Sequence, residues 1–239
     1  MPLVAAAVCP HPPLLVPELA GAAAPELDEL RAAADAAVAR LLAAAPDAIL
    51  LVGGGPETVR FNAADSGSLR AFGLDRPVRL WKISCSGGEV LPLSLTIGAW
   101  LLNRSGTGLP RLARSVAHDA APAECATFGA SLIADDDPRV ALLVLGDGSA
   151  CRGVTAPGYD DPRAQAYDEV VAAALAGADA DALRGLDPVL SAELRVAGRA
   201  PWQTLAGAAG AAGGGWRGDL SYHRAPYGVA YFVANWERV

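Results

Sequence analysis

"VAAAVCPHPPLLVPELAG" (Val4–Gly21) joins an apolar run to the turn Cys9-Pro10-His11-Pro12-Pro13. A short apolar run closed by a chain breaker reads as a strand buried in a sheet. Prolines 10, 12 and 13 fix φ and remove three backbone donors, so the chain leaves the strand along a stiff path. His11 rides on that path and is one of only three histidines. Its residue type suits a metal ligand or an acid–base group as well as a bystander in a rigid loop.

Outward from this stretch, apolar runs alternate with helical patterns. "PELDELRAAADAAVARLLAAAP" (25–46) places Leu27, Leu30, Ala34, Val38, Leu41 and Leu42 at helical spacing. "AILLVGGG" (48–55) is the continuous apolar run expected of a strand covered on both faces. "VRLWKIS" (78–84) alternates, which predicts a strand nearer the sheet edge. "SGGEVLPLSLTIGAWLLNRSG" (86–106) is partly helical, and a short run follows at 112–117. Pro122 opens a helix in "PAECATFGASLIAD", and "RVALLVLGDGS" (139–149) is the clearest later strand. Asp161 and Pro162 start the next helix. Further Ala/Leu helices occupy 179–186, 187–198 and 200–212, and "YGVAYFVANW" (227–236) is a last strand. The Gly-rich 207–218 reads as a helix end and a flexible loop. The alternation predicts one α/β domain over 1–239, with a mixed or parallel sheet flanked by helices.

Composition narrows the function classes. The 239 residues are 52% hydrophobic, with a formal net charge of −7. That balance argues against a nucleic-acid backbone as partner, since phosphate binding needs clustered cations. Arg104, Arg111 and Arg114 form the one candidate basic patch, more simply read as a solvated face. Cys9, Cys85, Cys125 and Cys151 have neither paired C-x-x-C spacing nor the density of a disulfide scaffold, which predicts reduced thiols in the cytoplasm. No stretch is expected to span a membrane.

In open α/β sheets, ligands bind beyond the carboxyl ends of the strands. The strand ends deliver Cys9 and His11, then Gly53-Gly54-Gly55, then Asp147, Ser149, Cys151 and Arg152, with Cys85 after the third run. The glycine triplet lacks the Lys-Ser/Thr of a phosphate loop. "GDGSA" departs from the G-x-S-x-G elbow of a serine hydrolase. Asp135-Asp136-Asp137 reads as a solvated turn. Trp216, in the Gly-rich loop, is the tryptophan best placed to act as a lid; the other four read as packing anchors.

The pattern resembles the LigB-like family, the catalytic β-subunits of class III extradiol ring-cleavage dioxygenases. The likeness is strongest to an actinobacterial branch of that family, and the Memo proteins share its fold. "VCPHPPLLVPELAG" carries the resemblance most strongly. "AILLVGGGPETVRF", "LLVLGDGSACRGVTAPGYDDPRA", "PWQTLAGAAG" and "PYGVAYFVANW" support it in order, over nearly the whole chain. It implies a LigB-like fold and non-haem iron(II) held by two histidines and a carboxylate, open to catechol and dioxygen. A further histidine would act as acid and base. His11 matches the first ligand. The second ligand would follow the second strand, where Gly53-Gly54-Gly55-Pro56 stands. The acid–base histidine would follow Ser149, where Ala150 stands. The carboxylate would precede Trp202, where Gly198-Arg199-Ala200 stands and Glu193 is the nearest acid. Neither His118 nor His223 lies where the resemblance puts a replacement.

The expectation is therefore a LigB-like protein without the iron triad, binding a small molecule or protein in a remnant cleft of His11, Cys9, Gly54, Asp147, Ser149 and Arg152. Arg152 suits a carboxylate or phosphate, or a structural pair with Asp147 or Asp160. Two alternatives stand beside it. One is rebuilt chemistry, with zinc or a nucleophile at Cys9, His11, Cys85 and Cys151. The other is a residual catechol dioxygenase. A homodimer is compatible with the family analogy.

Overall fold

The alternation of apolar runs and helices builds a seven-stranded mixed sheet covered on both faces, with a small three-stranded sheet beside it. The computed structural model describes residues 3–81, 89–133 and 138–239. In chain order, the first half holds β1 (Leu3–Cys9), α1 (Pro17–Ala20), α2 (Asp28–Ala43), β2 (Ala48–Gly55), β3 (Arg60–Phe61), β4 (Ser66–Leu69), β5 (Leu74–Arg79), β6 (Val90–Leu91) and α3 (Leu93–Arg104). The second half holds β7 (Arg111–Ala117), α4 (Pro122–Ser131), β8 (Val140–Leu145), α5 (Arg163–Gly177), α6 (Ala180–Arg184), α7 (Pro188–Glu193), α8 (Arg199–Ala212), β9 (Trp216–Arg224) and β10 (Tyr231–Arg238).

The large sheet runs β3-β7-β2-β8-β1-β10-β9. β7, β2, β8 and β1 are parallel, while β3, β10 and β9 pair antiparallel at the edges. Successive residues of a strand face opposite sides, and the sequence uses both. Ala5, Ala7, Ile49, Leu51, Leu143 and Val233 pack with α2 and α3, whereas Ala6, Val8, Leu50, Val52, Leu142 and Phe232 pack with α5 and α8. Two apolar faces account for runs without polar alternation. They also place the carboxyl ends of β7, β2, β8 and β1 side by side along one rim.

Three expectations change. The run expected as a large-sheet edge strand at 78–84 contributes only its start to β5, which pairs with β4 in the small sheet; residues 82–84 lie outside the described residues. The Gly-rich stretch is mostly regular, with α8 reaching Ala212 and β9 beginning at Trp216. His223, expected in a loop, lies within β9. The burial of β9 alternates only between half-exposed and exposed positions until Tyr222, so no apolar stripe announces the strand. Among the described residues, no helix is long and apolar enough to cross a membrane.

Candidate functional site

β1 and β8 are parallel neighbours with Cys9 opposite Leu145, so the residues two beyond each strand end, His11 and Asp147, meet at the rim. The His11 backbone N–H donates to Asp147 Oδ1 at 2.8 Å, and His11 Nδ1 lies 3.5 Å from that oxygen. At 3.5 Å Nδ1 makes no hydrogen bond to that oxygen, and it is buried without a hydrogen-bond partner among the described residues. Burial raises the Asp147 carboxyl above its usual range, against the lowering effects of the His11 charge and its N–H. The Asp147 carbonyl accepts from Gly198 N at 2.8 Å, which ties this loop to the start of α8.

β7 brings the second imidazole. It is parallel to β2 with Ala117 opposite Gly55, and the next residue, His118, donates its backbone N–H to the Gly55 carbonyl at 3.0 Å. Its ring lies over Gly54: a β-carbon there would stand 2.7 Å from His118 Cε1 and 2.8 Å from Nδ1. Glycine at 54 is therefore the space the imidazole occupies. Burial, then the charges of His11 and Arg199, hold His118 below its ordinary range, with Asp119 opposing. Its ring is thus neutral at pH 7 and carries a basic lone pair.

Arg199 fixes this arrangement from α8. Its guanidinium donates to the carbonyls of His118 and Ala120 and, at 3.0 Å, to Gln203 Oε1. Gln203 in turn donates to the carbonyls of Arg184 and Leu186. Arg199 is buried, and among the described residues it has no carboxylate partner. Beside His118 and Arg199 opens a cleft of about 610 Å³. Val189 and Val196 line it with apolar surface, and Asp119 and Glu193 with acid.

The expected cleft residues divide. His11, Gly54 and Asp147 share this rim. Cys9 does not: it faces the α2 core beside Ala5 and Ala7, and burial pushes its thiol up to about 12. Ser149 and Arg152 turn to Asp168 on α5. The wholly buried Asp168 carboxylate accepts from Ser149 N at 2.9 Å, Ser149 Oγ at 2.6 Å and Arg152 Nη1 at 3.1 Å. So Arg152 pairs with Asp168, not with Asp147 or Asp160. Ser149 donates its hydroxyl proton to that acid. His223 stacks on Phe232 near the same cluster, with ring centroids 4.7 Å apart.

The thiols do not converge either. Cys151 lies in the opposite core from Cys9, with Sγ on the carbonyls of Gly158 and Leu194. Cys85 and Asp135–Asp137 lie outside the described residues. Trp216 is no lid: its indole N–H donates to Ala209 O at 3.2 Å, and Arg238 lies over its ring. The Arg104–Arg111–Arg114 patch dissolves as well. Arg104 pairs with Asp35, Arg111 is buried, and burial with nearby Arg60 lowers Arg114.

The iron(II) implied by the resemblance meets a poor donor set. The stretch Gly53-Gly54-Gly55-Pro56, where the resemblance puts the second ligand, carries no donor side chain, and Gly198-Arg199-Ala200, where it puts the carboxylate, carries a guanidinium instead. Among the described residues, no group of three His, Cys, Asp or Glu side chains is placed to hold a metal ion. These residues do not fit the family's iron.

Sequence reasoning missed His118 and Arg199. The lone His118-Asp119 closing the 112–117 run had the same strand-end placement as His11, which was the available signal. Arg199 could not be recognised, because nothing local says that its head turns to the carbonyl of a residue 81 positions earlier.

No family model matches the chain, and no curated protein does. Among solved structures it is similar to an uncharacterized protein, JW3007, from Escherichia coli K12. The two share 12% identity, with a TM-score of 0.54 over 98% of this chain and 99% of that one. At that identity the likeness shows the fold.

Proposed function

We propose that this chain is a LigB-like cytoplasmic protein that has lost the iron site of the extradiol dioxygenases and binds a small aromatic diol of the catechol type in the cleft beside His118. The observation that carries the reading is the imidazole of His118 seated over Gly54, in the space where a ligand side chain from β2 would project. Val189 and Val196 suit the ring of such a molecule, while His118 and Glu193 offer acceptors for its hydroxyls. Isothermal titration of catechol into chelator-treated full-length protein tests it. Saturable binding, lost in Val189→Trp (which fills the cleft from an exposed position), is expected. Heat no greater than dilution, or equal binding by the variant, contradicts it.

A second reading, rebuilt chemistry at the same rim, is favoured by one observation. Burial favours the neutral form of the His118 imidazole in the cleft, and His11 on the same rim donates its backbone N–H to Asp147. That pair suits proton abstraction from a bound hydroxyl without a metal. A bell-shaped or sigmoid pH profile of any turnover, shifted in His118→Gln, is its signature.

A further inference from the structure

At the opposite rim of the sheet, where β7 begins, arginines gather around a second cleft of about 440 Å³. Arg76, Arg79, Trp81, Asn103 and Arg111 line it, and among the described residues no acidic side chain does. Arg111 is the centre. It is 4% exposed, and its two terminal nitrogens are taken up by the carbonyls of Leu80, Leu102 and Thr107 and by Asn103 Oδ1. All of these are neutral. A buried cation normally has a counter-charge, because desolvation penalises it heavily without one. Here the described residues supply none.

Two donors in the same cleft are also unpartnered: Arg111 Nε and Trp81 Nε1, both shut off from solvent. Orphaned buried donors of this kind are uncommon in folded proteins. Arg79, exposed at the mouth, has no carboxylate partner among the described residues, while Arg76 is countered by Glu18 at 3.0 Å. The cleft thus carries about two uncompensated positive charges in a chain whose net charge is −7. The overall negative charge therefore does not account for this local positive excess.

We propose that this cleft binds a small soluble oxyanion of charge near −2, a phosphate or the phosphate group of a metabolite, between Arg79 and Arg111 with Trp81 Nε1–H as a further donor. Guanidinium groups suit phosphate oxygens geometrically, and a dianion matches the uncompensated charge. The site is separate from the His118 cleft and does not depend on what that cleft binds.

The test titrates inorganic phosphate, and separately acetate, into the full-length chain at constant ionic strength, read by calorimetry and thermal unfolding. Arg111 variants are avoided because they strip the turn of its hydrogen bonds. Arg79→Gln and Trp81→Phe are used instead, with Arg60→Gln on β3 as a charge-matched control. Saturable phosphate binding at least about tenfold tighter than acetate is expected, with a rise in Tm that grows with concentration. Arg79→Gln weakens it at least about tenfold, Trp81→Phe weakens it measurably, and Arg60→Gln leaves it unchanged. No saturation beyond a sodium chloride control overturns the proposal. So does acetate binding as tightly as phosphate, or an unchanged affinity in Arg79→Gln.

Discussion

The ring of His118 covers Gly54 so closely that a single β-carbon at 54 would stand 2.7 Å from Cε1, well inside van der Waals contact. Two strands, β2 and β7, thereby share one piece of space at the rim. One contributes a missing side chain and the other an imidazole.

That relationship predicts a coupling. Gly54→Ala forces the ring or the Ala197 carbonyl, 3.3 Å from the added carbon, to shift, and costs about 1–3 kcal/mol. In His118→Ala the same change is nearly free, since its main obstacle is gone. Urea denaturation of the four species gives the interaction energy, expected to exceed about 1 kcal/mol. Additive single effects contradict the seating of the ring.

His118 and His223 both sit below the ordinary histidine value of 6.5, chiefly through burial. Each binds fewer protons folded than unfolded, so stability is full above about pH 6.5 and falls as pH drops through that value. Asp147, raised by burial, works in the opposite sense: it contributes stability while protonated and loses it as pH rises through its folded value. Denaturant unfolding at pH 7.5 and 5.5 is expected to show a smaller acid loss in His118→Asn than in the parent. An equal loss in both rejects the assignment to His118.

Asp168 is the buried pin of the loop after β8, with Ser149 and Arg152 held by one carboxylate. Asp168→Ala leaves Arg152 without its partner and two buried donors unsatisfied, at a cost of about 3–5 kcal/mol. Arg152, a quarter exposed, can turn to water, so Arg152→Ala costs less. The order of the two midpoints in urea checks this.

The thiols of Cys9, Cys125 and Cys151 are all buried, and desolvation raises each above its ordinary value. In a Cys85→Ser background, thiol titration with an aromatic disulfide is expected to be slow in the native protein and to release three equivalents on unfolding. A fast-reacting native thiol returns a cysteine to the candidate chemistry.

The sheet was legible in the sequence because β1, β2 and β8 are covered on both faces and leave unbroken apolar runs. The small sheet and β9 were not, since β4 has only four residues and β9 exposes most of one face. At the site, His11, Gly54 and Asp147 could be placed because strand ends are visible locally. Cys9 could not be excluded, as one residue of register decides which face a side chain takes. Ser149 and Arg152 were misplaced for another reason. Their partner Asp168 lies on a helix 16–19 residues later, and nothing at the strand end announces it. His118 was visible as a residue but not as part of the rim that carries His11, because its place there depends on the strand order β7-β2-β8-β1.

The central claim is that the cleft beside His118 takes its ligand without iron. The most direct measurement titrates catechol into chelator-treated full-length protein, with and without one equivalent of iron(II), and then admits air while following ring-cleavage absorbance. The account predicts the same saturable affinity in both arms and no product above a His11→Ala control. Binding that appears only with iron, or product that requires His11, contradicts it.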